Sequence, residues 1–398
     1  MKTIIIGGDG FCGWPTALHL SKIGYEVLIL DNLSRRKIDI DLGVESLTPI
    51  KSIDSRIGIW KEITQRKMEF INIDVSKDYN RLLDIIKNYK PDTIIHFGEQ
   101  RSAPYSMKNS RTKIYTVDNN INATNNVLNA VIECKLDIHI IHLGTMGVYG
   151  YSTAGMRIPE GYIEVDFTKE NGQKITKEIL YPPDPGSVYH LTKTQDAALF
   201  NYYNKNDGIR ITDLHQGVVW GVNTEETILH EGLINRFDYD GDYGTVLNRF
   251  LIQAALDFPL TVHGKGGQTR AFININDTVR CLELAIKNPP KKVNGKYEVK
   301  ILNQMTEVKT VKELAHAIQK KTNSKILFLK NPRNESDYND LSVKNEGLLN
   351  LGLKPIFIKD NLLEEIQYYS KKYIHRCNKS KIYCTSYWNA EIKKKFLI

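Results

Sequence analysis

The fold of this chain is decided by Gly7-Gly8-Asp9-Gly10-Phe11-Cys12-Gly13, which follows a run of isoleucines at the N-terminus. In this Gly-x-x-Gly-x-x-Gly spacing, Gly7 permits a tight turn, Gly10 lets backbone approach a pyrophosphate, and Gly13 lets a helix pack closely on a strand. The helix that follows turns its unpaired N–H groups and positive dipole end toward an anion. A glycine triplet alone is weak evidence, but between a strand and a helix it predicts a dinucleotide-binding turn.

Short runs rich in Ile and Val alternate with longer segments of helical period. The pattern predicts strands at 3–6, 26–30, 68–73, 93–97, 139–143 and 209–214. It predicts helices at 11–23, 79–89, 115–134 and 187–205. Such alternation is typical of parallel strands joined by crossover helices, so we expect an α/β fold with a doubly wound parallel Rossmann sheet.

Two segments, 32–67 and 156–186, are long for connections, and long loops in a compact domain are usually functional or locally structured. After residue 217 the alternation loosens, which predicts a smaller α/β substrate-binding domain over the carboxyl ends of the strands. We expect an NAD-binding domain at 1–216, to which 272–304 returns. The expected nucleotide-sugar domain comprises 217–271 and 305–370, and a basic C-terminal extension covers 371–398.

Composition excludes several classes of protein. Of the 398 residues, 41% are hydrophobic and 25% charged, which excludes a disordered chain, and no apolar run approaches the roughly 20 residues of a membrane span. The first residues enter the glycine turn at once, so we expect no signal sequence and a cytoplasmic protein. Five scattered cysteines predict neither disulfides nor a metal site. The net charge of +8 is concentrated in the C-terminal extension, which argues against a nucleic-acid-binding face on the body.

A carboxylate stands where the second strand ends. Asp31 lies about twenty residues beyond the glycines, where it can accept both hydroxyls of an adenine ribose and repel a 2′-phosphate, which favours NAD over NADP. Arg35 and Arg36 follow closely, and they could instead bind the 2′-phosphate of NADP or stack on the adenine ring, so these alternatives stay open. Asp74 and Val75, after the third strand, are placed to contact the adenine.

The sequence Tyr189-His190-Leu191-Thr192-Lys193 places a tyrosine and a lysine four residues apart on a predicted helix, and so on one face. A nearby ammonium lowers a phenol pKa, so Tyr189 can take a proton from a sugar hydroxyl while hydride leaves the same carbon. Thr145 follows the fifth strand, where its hydroxyl can bond the same oxygen. The three residues together predict hydride chemistry at a carbinol.

These motifs resemble the extended short-chain dehydrogenases and, within them, the family of UDP-sulfoquinovose synthases. The resemblance covers roughly residues 1–370. Its most specific segment is Phe97-Gly98-Glu99-Gln100-Arg101-Ser102-Ala103-Pro104-Tyr105-Ser106. The other matching segments are 7–14, 31–36, 144–147, 189–193, 247–250, 264–270 and 331–333.

The resemblance implies bound NAD and the conversion of UDP-glucose and sulfite into UDP-sulfoquinovose. It implies oxidation at C4 with Tyr189, loss of water across C5 and C6, addition of sulfite at C6, and return of the hydride to C4. Whether sulfite arrives free or from a sulfite-donating protein stays open, as does the final acceptor, a sulfolipid or a glycoprotein glycan. A homodimer is the expected assembly.

One departure separates this chain from related 4,6-dehydratases. Those enzymes carry an Asp-Glu pair after the threonine, whereas this chain has Met146-Gly147, which leaves room near C6 for an anion that carboxylates would repel. Proton transfer must then come from elsewhere. We expect His190 to serve, assisted by Gln100, Arg101 and water, because a histidine near its ordinary pKa can both give and take a proton.

The resemblance also implies the remaining contacts. The expected cofactor contacts are Gly7, Gly10, Phe11, Cys12, Gly13, Asp31, Asn32, Ser34, Arg35, Arg36, Asp74, Val75, Gln100, Asn119, Leu143, Tyr189 and Lys193. The expected substrate contacts are Arg101, Thr145, Gln216, Thr245, Arg249, Thr261, Val262, Gln268, Arg270, Asn331 and Arg333. The arginines among them supply the cations that a UDP pyrophosphate needs.

Two other functions fit the same residues. A UDP-sugar 4-epimerase or 4,6-dehydratase would share NAD, Tyr189 and Lys193 but need no sulfite. A catalytically silent NAD-binding scaffold would need none of the catalytic set, and the presence of Thr145, Tyr189 and Lys193 argues against it.

Overall fold

Seven parallel strands form the main sheet of the protein, in a computed structural model that describes residues 1–150, 156–333, 335–358 and 360–388. The strands of the chain are β1 Lys2–Ile6, β2 Glu26–Asp31, β3 Met68–Asn72, β4 Thr93–His96, β5 His139–Thr145, β6 Tyr162–Thr168, β7 Lys174–Leu180, β8 Arg210–Gln216, β9 Val218–Trp220, β10 Leu260–His263, β11 Thr269–Asn274, β12 Lys292–Val293, β13 Lys296–Tyr297, β14 Lys300–Gln304, β15 Glu307–Thr310 and β16 Ile326–Leu329.

The α-helices are α1 Gly13–Lys22, α2 Ser34–Leu42, α3 Ile53–Thr64, α4 Tyr79–Tyr89, α5 Ala103–Ser106, α6 Ser110–Cys134, α7 Val188–Asp207, α8 Val246–Ala255, α9 Ile275–Lys287, α10 Val311–Thr322, α11 Glu346–Asn350 and α12 Asp360–Lys372. Short 3-10 helices lie at Met146–Tyr149, Glu231–Leu233, Ile374–Arg376 and Lys379–Lys381.

The main sheet has the order β14-β8-β5-β4-β1-β2-β3, so the chain starts near the middle and winds outward in both directions. All six predicted strands and all four predicted helices are present, which confirms the doubly wound fold. The seventh strand, β14, was not among the predicted strands. Its sequence Lys-Ile-Leu-Asn-Gln ends in two amides, and Asn303 and Gln304 are buried polar residues that no hydrophobic pattern reveals.

Both faces of the sheet are covered. Alternation along β1 sends Ile5 into a core that includes Trp14 of α1 and Leu282 of α9, and sends Ile4 and Ile6 into the core on the other face, beneath α4, α6 and α7. Because both faces are buried, these strands read as continuous apolar runs. The glycine turn brings α1 against β1 so closely that a Cβ on Gly13 would lie 2.2 Å from the carbonyl oxygen of Gly7.

The two long connections have structure of their own. Residues 32–67 contain α2 and α3, and within 156–186 the strands β6 and β7 form an antiparallel hairpin. Beyond β8 there are two small sheets: β11 pairs antiparallel with β15 and parallel with β9, and β10 pairs parallel with β16. They pack with α8 and α10 around a third core that includes Trp220, Phe250 and Phe272. In the part of the chain that is described, no helix combines the length and the apolar character needed to cross a bilayer.

The C-terminal segment, residues 373–388, lies against the body of the protein. Ile382 and Ser386 are fully buried, Lys381 accepts a backbone hydrogen bond from Gly241, and the Trp388 indole donates to the carbonyl of Gly186 at 2.7 Å. Residues 389–398, which carry three of the lysines of the predicted basic extension, lie outside the described residues.

Candidate active site

Two pockets meet at Tyr189 on the carboxyl edge of the main sheet. The first, the cofactor pocket, runs from the glycine turn past the ends of β2 and β3 to α7. The predicted cofactor contacts that line it are Gly7, Gly10, Phe11, Cys12, Gly13, Asp31, Asn32, Ser34, Arg35, Asp74, Val75, Gln100, Asn119, Leu143, Tyr189 and Lys193. Of the predicted set, Arg36 alone is not among the residues lining this pocket.

Asp31 ends β2 with both carboxylate oxygens already oriented by backbone. One oxygen accepts the N–H of Asp9 at 2.9 Å and the other the N–H of Leu33 at 2.7 Å. Burial, together with the neighbouring carboxylate of Asp9, raises the pKa of Asp31 to about 6, so the group is ionised at neutral pH. A carboxylate held in this way can accept the two hydroxyls of a ribose and repels a 2′-phosphate.

The arginines after β2 are engaged within the protein. Arg36 donates to both oxygens of Asp9, at 2.6 and 2.8 Å, and to the carbonyl of Lys51. Arg35 pairs with Asp39 and Asp238, and its guanidinium stacks 3.7 Å from the ring of Tyr243. The alternative in which these arginines admit a 2′-phosphate is therefore disfavoured.

The catalytic set lies at the junction of the two pockets. Ser187 caps α7 through its side chain, and the N–H of Tyr189 donates to the Ser106 hydroxyl at 3.1 Å, which fixes the first turn of the helix. The Thr145 hydroxyl accepts the N–H of Gly147 at 3.1 Å, and its interaction with the Tyr189 phenol lowers the pKa of that phenol. Thr145 lines the second pocket and Lys193 the first, while Tyr189 lines both.

The phenol of Tyr189 is less acidic than its motif predicts. Burial raises the pKa of Tyr189 above its ordinary value, and this effect exceeds the lowering by Lys193 and by the Thr145 hydrogen bond. The ammonium of Lys193 does lower the phenol pKa, as expected. It also forms an ion pair with Glu99 at 2.9 Å, and this carboxylate raises the phenol pKa.

His190 occupies the space left by Gly147. A Cβ on Gly147 would lie 2.2 Å from Cδ2 and 2.3 Å from Nε2 of the imidazole. The expectation that His190 stays near its ordinary pKa is wrong, because burial and the cations Arg333 and Arg270 lower its pKa to about 3. The imidazole is therefore neutral at neutral pH.

Gln100 and Arg101 hold the loop after β4 in place. The Gln100 amide donates to the carbonyl of Ser102 and to Thr116, both at 3.0 Å, so its donors are used within the protein. Arg101 pairs with Asp238 and lines both pockets. The geometry gives these two residues binding and structural contacts, and Gln100 has no hydrogen left to relay to a substrate.

The second pocket, the substrate cleft, lies between the main sheet and the elements beyond β8. The predicted substrate contacts that line it are Arg101, Thr145, Gln216, Thr245, Arg249, Thr261, Gln268, Arg270 and Arg333. Val262 is not among the lining residues, because its side chain points into the third core. Asn331 also lies outside the lining and accepts the N–H of Arg333 at 3.0 Å, so it supports that arginine.

Three buried polar groups in the substrate cleft have no hydrogen-bond partner within the described residues: Arg249 Nε, Thr245 Oγ1 and Gln268 Nε2. Buried polar atoms are rarely left without partners, and each costs about 1–3 kcal/mol when it is. Two of the three are donors only, and the third is a hydroxyl that can donate. Such a cleft is suited to a ligand with many acceptor oxygens.

Sequence analysis missed several residues that line the pockets. Tyr115 lies four residues before Asn119 on α6, so the helical period could have found it. His263 ends β10 two residues after the predicted contact Thr261, so the period of a strand could have found it, whereas Tyr243 lies in an irregular segment before α8 and gave no signal. Glu99 was quoted only as part of a motif, although it contacts the catalytic lysine.

Comparisons with known proteins agree with this geometry. Residues 3–300 match the model of the NAD dependent epimerase/dehydratase family. The chain belongs to this family. It is 45% identical over 392 residues to the chloroplastic UDP-sulfoquinovose synthase of Spinacia oleracea, covering 97% of this chain and 79% of that protein. It is 40% identical over 373 residues to the UDP-sulfoquinovose synthase of Sulfolobus acidocaldarius, covering 92% and 91%.

Solved epimerases of this family share the fold. The UDP-glucose 4-epimerase of Thermotoga maritima, solved with UDP-glucose, superposes with a TM-score of 0.69 at 18% identity, covering 94% of this chain and all of that one. The UDP-glucuronic acid 4-epimerase of Bacillus cereus, solved with UDP-glucuronic acid and NAD, gives 0.66 at 23% identity, covering 94% and 99%.

The family is NAD-dependent, which confirms the expected cofactor. The residues present fit NAD, because a Cβ at Gly13 would fill the space beside the glycine turn and the oriented carboxylate of Asp31 lies next to that turn in the same pocket. The predicted resemblance to UDP-sulfoquinovose synthases is likewise confirmed.

Sequence analysis expected no metal. Among the described residues, Glu99, His142 and Asp196 offer ligand atoms within 4.8 Å of one another. The ammonium of Lys193 already lies 2.9 Å from Glu99 and 3.0 Å from His142, so a positive charge is present beside this group.

Proposed function

We propose that this chain is a UDP-sulfoquinovose synthase, which makes UDP-sulfoquinovose from UDP-glucose and sulfite with bound NAD. The observation that carries the proposal is its likeness, over nearly its whole length, to two proteins with that activity in their names, from a plant and an archaeon. The placement of Tyr189 between a dinucleotide pocket and a cleft rich in arginine supports it.

Oxidation at C4 is the task of Tyr189 and Thr145. When bound, NAD supplies the acceptor and later the donor of hydride. Tyr189, as phenolate, accepts the proton of the C4 hydroxyl, and Thr145 holds the same oxygen by a hydrogen bond. Lys193 favours the phenolate by its charge. In the last step Tyr189 returns the proton to the C4 oxygen.

Loss of water across C5 and C6 is assigned to His190. A ketone at C4 acidifies the C5 hydrogen, and the neutral imidazole can accept that proton and pass it to the leaving hydroxyl at C6. Its pKa is lowered in part by Arg333 and Arg270, two cations that a UDP pyrophosphate would neutralise. Substrate binding is then expected to raise the pKa of His190 and improve it as a base.

The arginines of the substrate cleft would bind the pyrophosphate. Arg249, Arg270 and Arg333 line the cleft. Two acidic residues also line it, and both are in ion pairs: Glu335 with Arg270, and Asp242 with Lys108. The two residues after Thr145 are Met146 and Gly147 instead of an acidic pair, so these two positions carry no carboxylate that would repel sulfite. The expected domain boundaries are part of the proposal: 1–216, to which 272–304 returns through α9 and β14, forms the NAD-binding domain, and 217–271 with 305–370 forms the nucleotide-sugar domain. Tyr243 lines the cofactor pocket and Arg101 and Thr145 line the substrate cleft, so each domain also contributes to the other pocket.

A homodimer in the cytoplasm is part of the proposal. Helices α6 and α7 pack side by side, and both expose apolar side chains, among them Ile114 and Tyr202, each with more than 60% of its surface accessible. Reduced cysteines fit a reducing compartment. Sedimentation equilibrium at micromolar concentration should give twice the mass of the chain, and a monomer would contradict the dimer.

The activity is tested by incubating the purified holoenzyme with UDP-glucose, with and without sulfite, and identifying the products by mass spectrometry. Sulfonated UDP-hexose should form only with sulfite. If UDP-galactose or a 4-keto-6-deoxy sugar accumulates and no sulfonated product forms, the protein is an epimerase or dehydratase. If no UDP-hexose is altered, it is a binding scaffold.

The catalytic tyrosine is tested with Tyr189→Phe. Turnover should fall by a factor of about a thousand, because general-base catalysis contributes roughly 10²–10⁴-fold, while UDP-glucose binding measured by calorimetry stays nearly unchanged. The control is Tyr202→Phe, which removes an exposed hydroxyl from the same helix. Unchanged turnover in Tyr189→Phe would overturn the assignment.

A further inference from the structure

The ammonium of Lys193 is enclosed by groups on β5 and on the loop after β4. It donates to the carbonyl of Leu143 at 2.8 Å, contacts His142 Nε2 at 3.0 Å and forms the ion pair with Glu99 Oε2 at 2.9 Å. An ammonium has three hydrogens. It therefore has as many contacts within the protein as hydrogens, although it also lines the cofactor pocket.

Glu99 is a buried carboxylate with a dense set of partners. Its Oε1 accepts from Thr124 at 3.1 Å and lies 3.0 Å from His142 Nε2 and 3.5 Å from His96 Nε2. A buried carboxylate is costly unless it is paired, and here it offsets the charge of Lys193 directly. The proposed mechanism has no task for this residue.

His142 connects the ammonium to a second carboxylate. Its Nδ1 contacts Asp213 Oδ1 at 2.8 Å, and the other oxygen of Asp213 lies 2.9 Å from His215. Asp196 approaches Nε2 to 3.6 Å and the ring of His96 lies 5.8 Å away, which completes the titratable groups facing His142.

The charges of this cluster balance. Burial and Lys193 disfavour the imidazolium, yet the carboxylates of Asp213 and Glu99 raise the pKa of His142 to about 9. Burial, with Glu99 next, raises the pKa of Asp196 well above its ordinary value, which favours its neutral form. Two cations, Lys193 and His142, then face two anions, Glu99 and Asp213.

We propose that Glu99 and His142 are positioning residues of the catalytic pair: Glu99 holds the Lys193 ammonium by an ion pair and His142 holds it by a hydrogen bond, and together they set how strongly it favours the phenolate of Tyr189. A neutral His142 accepts a hydrogen of the ammonium. A protonated His142 donates to Glu99 instead and releases that hydrogen toward the cofactor pocket. The proposal rests on the proposed function only in taking Tyr189 as the base.

The test is the ionisation of the Tyr189 phenol, followed in the holoenzyme by ultraviolet difference titration against the same protein carrying Tyr189→Phe. In Glu99→Gln the phenol should ionise about one pH unit lower, because a buried negative charge is lost and the ammonium is no longer offset. In His142→Gln it should ionise within about half a pH unit of the wild type, because His142 is already neutral at the pH where the phenol ionises and the amide oxygen of a glutamine can still accept a hydrogen of the ammonium.

A fall of the phenol pKa in Glu99→Gln with little change in His142→Gln supports the proposal, since packing damage within one buried cluster would disturb the phenol in both variants. No shift in Glu99→Gln, or equal shifts in both variants, would overturn it; if one variant fails to fold, the other is judged against its own expected value. The control is Glu226→Gln, which removes a buried carboxylate paired with His19 and should leave the phenol unchanged. The titration uses neither UDP-glucose nor sulfite, so its failure is distinct from an absence of sulfonated product.

Discussion

At the scale of single residues, the missing side chain of Gly147 makes room for a neighbour on another element. Gly147 lies directly after β5 and His190 in the first turn of α7, and the imidazole fills the space that any larger residue at 147 would need. The sequence placed both residues near the reacting carbons. Only the structure shows that they share one volume, so that the residue type at 147 determines where His190 can lie.

Gly147→Ala should therefore destabilise the protein by about 1–3 kcal/mol, the usual cost of overpacking, and lower turnover by displacing the imidazole. Whether the loss comes from the clash with His190 is checked by a double-mutant cycle with His190→Ala. The free energy of unfolding of each variant is measured by urea titration. The double variant should recover at least about 1 kcal/mol relative to the sum of the single effects. Additive effects would mean that the two side chains do not compete for space.

Asp31 is the residue that we propose selects the cofactor, and its two neighbouring arginines are paired within the protein. Asp31→Ala should weaken the binding of NAD by roughly ten- to a hundredfold, which is the loss expected for hydrogen bonds to a charged group. The binding of NADP should be weakened less. Calorimetric titration of apoprotein with both cofactors measures the ratio. Asp92→Ala, at the opposite edge of the sheet, is the control. Equal losses for NAD and NADP would remove the argument for selectivity.

At the scale of elements, regular alternation made the first half of the chain predictable. Strand ends carry the glycine turn, Asp31 and Thr145, and parallel strands bring these ends to one edge, so the cofactor site followed from the order of elements. The hairpin β6–β7 and strand β14 did not follow. The hairpin is largely exposed and β14 ends in buried amides, so neither carries the apolar run that marks an interior strand.

Helices α1 and α9 are joined through His19, which contacts Glu226 at 3.1 Å and Glu283 at 2.8 Å. Although burial disfavours the imidazolium, hydrogen bonds to the two glutamates raise the pKa of His19 above its ordinary value. A pKa raised by folding gives stability that is fully present below the unfolded value of 6.5 and is lost as the pH rises through the folded value.

The melting temperature should therefore fall more between about pH 6 and about pH 9 in the wild type than in His19→Gln, by a difference equivalent to at most about 1 kcal/mol. Differential scanning calorimetry in buffers of equal ionic strength measures it. His316→Gln, which removes an exposed histidine, should behave as the wild type. A steeper fall in His19→Gln would contradict the sign of the coupling.

At the scale of the whole molecule, the C-terminal segment ties the two sides of the substrate cleft together. Trp388 bonds Gly186, just before α7, and its backbone N–H donates to Pro332 at 3.0 Å. Its ring lies 5.2 Å from the guanidinium of Arg333, which lines the cleft. A segment predicted to be a basic extension thus places an aromatic ring beside a proposed substrate contact.

Trp388→Ala should raise the KM for UDP-glucose about fivefold and leave kcat nearly unchanged, because loss of a cation–π contact of roughly 1 kcal/mol affects binding of the pyrophosphate and not the reacting carbons. Steady-state kinetics with saturating sulfite measures both constants. Tyr383→Ala, in the same segment, is the control. A fall in kcat at unchanged KM would show that Trp388 acts on the chemistry instead.

The sequence by itself determined the doubly wound sheet, the cofactor and the residues Thr145, Tyr189 and Lys193, because periodicity and motif spacing are local along the chain. Tertiary structure alone decided the partners of those residues. Glu99 and His142 contact Lys193 from the loop after β4 and from β5, and Asp213 on β8 pairs with His142. Burial removes the water that would screen these charges, so the electrostatic potential at Tyr189 depends on distances between elements, which the spacing of residues along the chain does not record.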